Sequence, residues 1–159
     1  MSDLTLKSSV DNGHNDALKS LTVVGIPIEQ YTGKAGEALE AGAPVYLNKT
    51  TNKGTNGDAD ALATAEIIGI NLKTAAAGQG YTVIKKGIVE GFDLSGLSYG
   101  DPVYLSTTAG KLATAAPVGD GDVSMIVGRV VGVHGQLPGS NPMKALYVDL
   151  FAPFTIVEA

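Results

Sequence analysis

Cysteine and tryptophan are absent from this 159-residue chain, and it contains only two histidines. Without cysteine there can be no disulfide and no thiolate zinc site, so stability has to come from burial and strand pairing. His14 lies in a polar N-terminal stretch and His134 between Val133 and Gly135. Neither stands at ligand spacing from a second strong metal-binding residue. Asp11, His14 and Asp16 could meet an ion if their segment folded, but that composition reads as a solvated loop. Basic residues are also scarce, 11 Lys and Arg against 16 Asp and Glu, and the Lys85-Lys86 pair is isolated. A nucleic-acid binder concentrates such charge in a stripe, so nucleic acid is not the expected partner. No stretch approaches the roughly 18 apolar residues of a spanning helix, and Met1-Ser2-Asp3-Leu4-Thr5-Leu6-Lys7 has no apolar signal core. The expectation is a chain made in soluble form without a membrane anchor.

The motifs of catalysis are missing as well. No Gly-x-Ser-x-Gly elbow poses a serine, and nothing pairs any two of Glu37, Glu40, Glu66 and Glu90 in a cleft. Ala75-Ala76-Ala77-Gly78-Gln79-Gly80 lacks the Gly-Lys-Ser/Thr of a phosphate loop, and Asn56-Gly57-Asp58-Ala59-Asp60 and Asp120-Gly121-Asp122 lack the full ligand alternation of a calcium loop. Turn chemistry accounts for both acidic runs. The chain is read as a non-enzyme with no catalytic residue, cofactor or metal.

What the chain does contain is a phrase written twice. Ala41-Gly42-Ala43-Pro44-Val45-Tyr46-Leu47 returns as Tyr99-Gly100-Asp101-Pro102-Val103-Tyr104-Leu105. Downstream, Ala61-Leu62-Ala63-Thr64-Ala65 is matched with Lys111-Leu112-Ala113-Thr114-Ala115, and Ile67-Ile68-Gly69-Ile70 with Ile126-Val127-Gly128-Arg129. Two copies are too few for a solenoid, so they imply two similar β units of one domain, about 39–84 and 97–150.

Each copy enters a strand through a proline, tolerated where the missing N–H falls at the first strand position. A single turn with one inward leucine, Leu39 or Leu97, precedes it. Strands are expected at 21–28, 67–72, 81–84, 87–91, 125–133 and 146–151, and also at the two Leu-Ala-Thr-Ala segments. Pro27 places its segment at a sheet edge or bulge. The loop 48–60 is expected as an exposed tip. Many short strands predict an all-β domain, a small β-sandwich or barrel of β-tulip-like type. Residues 1–20 read as an extended N-terminal arm, 21–151 as the β domain, and 152–159 as a short apolar tail that packs on the body or on a neighbouring subunit.

The stretch from Gly91 to Leu112, Gly-Phe-Asp-Leu-Ser-Gly-Leu-Ser-Tyr-Gly-Asp-Pro-Val-Tyr-Leu-Ser-Thr-Thr-Ala-Gly-Lys-Leu, resembles a phrase of the capsid decoration, or cement, proteins of tailed bacteriophages. Ile126-Val127-Gly128-Arg129-Val130-Val131-Gly132 and Leu146-Tyr147-Val148-Asp149-Leu150 are similar to that family in type and order, so the resemblance covers roughly residues 35–151. It implies a virion protein, made in the host cytoplasm, that binds the outer surface of the expanded head. As a homotrimer at three-fold or quasi-three-fold positions, it would clamp the major capsid protein against internal pressure. Leu4, Leu6, His14, Phe154 and Ile156 are the candidate residues for the capsid or inter-subunit interface. The alternative is a head- or tail-fibre module binding host glycans, which the low aromatic content disfavours.

Overall fold

A computed structural model describes residues 3–11, 14–17, 19–133 and 142–157. The first strands are β1 (Ser8–Asp11), β2 (His14–Ala17), β3 (Thr22–Lys34), β4 (Pro44–Leu47) and β5 (Gly54–Asn56), and one helical turn follows, α1 (Leu62–Ala65). Next come β6 (Ile67–Asn71), β7 (Gly80–Glu90), β8 (Pro102–Leu105) and β9 (Leu112–Ala113). The chain closes with β10 (Val123–Ser124), β11 (Ile126–Val133), β12 (Met143–Asp149) and β13 (Phe154–Thr155). The domain is all-β: a nine-stranded antiparallel sheet in the order β5-β4-β6-β7-β12-β11-β8-β9, with β3 also on β7, curls into a half-barrel beside small two-stranded sheets.

That order has the same form when read from either end, because β5-β4-β6-β7 corresponds to β9-β8-β11-β12. Register repeats along with order. Pro44, Val45 and Tyr46 face Ile70, Gly69 and Ile67, while Pro102, Val103 and Tyr104 face Arg129, Gly128 and Ile126, with a bulge at the same step in both copies. Turn chemistry repeats too. Gly42 and Gly100 both adopt left-handed backbone, at φ 83° and 87°, and donate to the carbonyls of Asn71 and Val130. A side chain there would be strained, which is why the phrase keeps glycine one residue after Ala41 and Tyr99.

The hairpins that follow differ from the sequence-based expectation. Leu47 pairs with Gly54 and Leu105 with Leu112, so both connections have the same length, 48–53 and 106–111. Asn48 Oδ1 accepts from the Thr50 N–H as Ser106 Oγ accepts from the Thr108 N–H, and Asn52 and Gly110 both take positive φ. The true counterpart of Lys111-Leu112-Ala113 is therefore Lys53-Gly54-Thr55, not Ala61-Leu62-Ala63. Nor is 48–60 one exposed tip, because Gly54, Gly57 and Ala59 are buried and exposure is concentrated at 49–53.

The two Leu-Ala-Thr-Ala segments take different forms. Residues 62–65 make the helical turn α1, held by Ala65 N–H to Ala61 C=O and by Thr64 Oγ1 on Asp58 Oδ1 at 2.7 Å. Leu112 and Ala113 form β9, because Leu105 and Tyr104 offer a strand on one side and Asp3 bridges Ala113 on the other. Alanine and leucine favour helix, and tertiary pairing overrides that preference in the second copy.

β7 is one continuous strand where two were expected, and it joins the halves. Ile84 pairs with both Gln30 of β3 and Ile70 of β6, and Val89 with both Val23 of β3 and Leu146 of β12. A residue has one lateral neighbour per side, so β3 runs along one edge of β7 while β6 and β12 share the other. Pairing with β3 breaks between Val24 and Glu29, and this bulge contains Gly25 (φ 75°) and Pro27, whose missing N–H costs nothing there.

Successive side chains of β7 serve opposite faces. Ile84 enters the main core with Val103, Leu105, Leu112, Val127 and Leu146, while Val83 enters a smaller cluster with Leu39, Val45 and Tyr81. Each fully buried aliphatic side chain contributes about 1.5–3 kcal/mol.

The first residues also belong to this body. Leu4 N–H donates to Leu112 C=O at 2.8 Å, Lys7 N–H to Gly91 C=O at 2.7 Å, and Asp93 N–H to Thr5 C=O at 2.8 Å. Leu4 is a core residue at 7% exposure. After it, β1 and β2 pair as a hairpin where turns without regular structure were expected.

Candidate functional site

The sheet ends are covered. Gly36 N–H bonds to Gly54 C=O at the β5 end, and Asp3 and Leu4 line β9. Large exposed apolar side chains lie elsewhere, with Leu62, Tyr99, Val118 and Met143 scattered singly and the rest in two groups. On β3, Ile26 is 89% exposed, with Ile28 and Tyr31 also out. At the C-terminal end Phe154 is 63% and Val157 80% exposed, with Phe151 also exposed.

The C-terminal segment is held by its backbone. Phe154 and Thr155 pair with Ser124 and Val123, Ile156 N–H donates to Asp122 C=O at 2.7 Å, and Gly121 N–H donates to Ile156 C=O at 2.9 Å. Its backbone is therefore fixed while its aromatic side chains stay exposed.

Of the five candidate interface residues, Phe154 stands in the open and Ile156 is half-buried beside it. Leu4 is taken up by the core, and Leu6 is half-buried against it and bridges to Phe92. Apolar spacing in the first residues could not separate a segment offered to a partner from one laid on its own body. His14 lies in β2, with its side chain outside the described residues, as His134 is altogether.

Two concavities flank the N-terminal segment. A pocket of about 260 Å³ has Leu4, Leu6, Phe92 and Leu112 on its floor and Lys19 and Lys111 at its rim. Lys111 Nζ reaches Glu40 Oε2 at 3.3 Å. A wider groove of about 510 Å³ is lined by Lys7, Asp93, Ser95, Tyr99 and Lys144. There Lys144 Nζ lies 5.7 Å from the Tyr99 ring centroid, and Lys7 pairs with Glu90. The Ser95 hydroxyl and backbone N–H both bond to Asp93, holding its carboxyl below the usual range. Neither concavity was evident in the sequence, because each joins segments far apart in the chain.

Among the described residues no group of three or more His, Cys, Asp or Glu side chains is placed to hold a metal ion. No helix among them is long and apolar enough to cross a membrane. No family model matches the chain, and no curated protein is similar to it.

Proposed function

We propose that the chain is a structural virion protein that decorates the outside of an expanded phage head, clamping major capsid protein subunits as a homotrimer. The observation that carries this reading is the placement of exposed apolar side chains. The repeated unit closes its sheet ends and fills its own core, while the bulge of β3 leaves Ile26 and Ile28 outward and the C-terminal segment carries Phe154 outward on paired backbone, with Phe151 and Val157 exposed on either side of it. Apolar side chains left in the open suit contact with another protein surface. The resemblance of residues 91–112 to decoration proteins supplies the identity of that surface.

The glycan-binding alternative would use the Tyr99 groove. Lys144 lies over the Tyr99 ring, so a sugar would have to displace it before stacking. The structural reading is therefore preferred.

Co-sedimentation with undecorated expanded heads and with unexpanded precursor heads tests the proposal. Saturable binding to expanded heads alone is the expected result. A folded protein that binds neither would overturn it.

A further inference from the structure

We propose that copies of this chain associate head to tail, with the C-terminal segment 151–157 of one copy seated over the Leu4, Leu6, Phe92 and Leu112 pocket of the next. This deepens the self-association in the proposed function and rests on it. The donor side is preorganised, because Phe154 sits in a backbone-paired strand and loses little freedom on docking. Its 63% exposure shows that its own body gives it no pocket.

The acceptor side has the right size. An apolar cavity of about 150 Å³ accommodates a benzene ring, and this pocket measures about 260 Å³. An aromatic anchor in an apolar pocket is the usual arrangement of a binding hot spot. Charge favours the same pairing modestly: Val157 is followed in sequence by Glu158, and the pocket lining carries Lys19 in addition to the Lys111–Glu40 ion pair, one net positive charge.

Knob and hole are different surfaces of one chain, so the contact is heterologous and closes into a ring when the rotation between copies allows. The outer edge of β3 is a poorer contact for a second copy. Its bulge at Gly25–Ile28, with Pro27 and the flanking Glu29 and Lys34, interrupts the flat run that strand pairing needs.

The absence of cysteine makes the test clean. Thr5→Cys at the pocket and Val157→Cys beside the anchor are purified separately, mixed and oxidised. The expected product is a disulfide-linked heterodimer in the mixture, with little cross-linking of either variant alone. In sedimentation equilibrium, Phe154→Ala weakens self-association by about tenfold or more without changing the melting temperature.

Self-association with no mixed cross-link and no effect of Phe154→Ala overturns the docking mode and leaves the oligomer standing. Dominant cross-linking of Val157→Cys to itself also overturns it, in favour of an isologous contact. A chain monomeric at every concentration overturns both the docking mode and the self-association. Capsid binding is read separately by co-sedimentation.

Discussion

Gly69 and Gly128 hold the same place in the two copies, each opposite the valine of the Pro-Val-Tyr-Leu phrase and each pressed against the next strand. A Cβ on Gly69 would lie 2.7 Å from the Ile84 carbonyl oxygen, and one on Gly128 would lie 2.2 Å from that of Tyr147. Both obstacles are backbone, so relief requires a strand to move. The repeat thus preserves a close approach of strands as well as a string of residues.

Gly128→Ala is accordingly expected to destabilise by about 3 kcal/mol and Gly69→Ala by about 2 kcal/mol. Gly96→Ala, where nothing lies within 4 Å, should stay within about 0.5 kcal/mol of the parent. Urea denaturation of the three variants checks the order.

The tetrapeptide shared by 62–65 and 112–115 gives a second contrast. Leu62 is exposed and Leu112 is buried at 1%. Leu112→Ala should cost about 2–4 kcal/mol, whereas Leu62→Ala should be near neutral. Thermal melting of the pair checks this, and equal losses would contradict the assignment of α1 and β9.

This contrast also marks how far the residues themselves announce the fold. Pro44 and Pro102 were readable because fixed φ and a missing N–H are local demands, and both open their strands. The two Leu-Ala-Thr-Ala segments misled because their conformation is set by what lies beside them: Asp58 for one, Leu105 and Asp3 for the other. β7 looked like two strands because Lys85-Lys86-Gly87 breaks the apolar pattern where β6 gives way to β12. Phe154 was legible as an apolar residue beyond the repeat, whereas the pocket was not, since Leu6, Phe92 and Leu112 meet only in the folded chain.

Tyr81 offers a test by pH. Its hydroxyl is buried without a hydrogen-bond partner among the described residues, and burial, with the Tyr31 phenol second, raises its pKa above the ordinary 10.0. A raised folded-state pKa contributes stability that is fully present below the unfolded value and lost as pH rises through the folded one. The parent should therefore lose stability in alkali above about pH 10. Tyr81→Phe should reduce that loss and be neutral or slightly stabilising at pH 7, since it removes an unpaired buried hydroxyl. Melting temperatures across pH 7 to 11 provide the measurement.

Asp93 is shifted in the opposite direction. The Ser95 hydroxyl, then its backbone N–H, bonds to the carboxylate and lowers its pKa. A depressed folded pKa contributes stability that is present above the unfolded value and lost as pH falls through the folded one. Ser95→Ala should raise the Asp93 pKa toward 3.8 while leaving the backbone contribution. Carboxyl-carbon NMR titration reads this directly, and an unchanged midpoint would count against the hydroxyl as the main cause.

Leu4 decides how much of the N-terminal stretch is arm and how much is body. Its side chain lies in the main core, and its N–H completes the edge of β9 at Leu112. Leu4→Ala should therefore cost about 2–4 kcal/mol, seen as a fall in melting temperature of roughly 4–16 °C for a chain of this size. Removing residues 1–20 should destabilise at least as much, since it takes Leu4, the half-buried Leu6 and the Asp3 contact to Ser106 together. Excising 8–17 with a short Gly-Ser bridge should spare the melt, because Leu4, Leu6 and the Lys19 C=O bond to Thr74 N–H all remain. If Leu4→Ala and the bridge variant melt alike, the first residues act as an arm and not as part of the core.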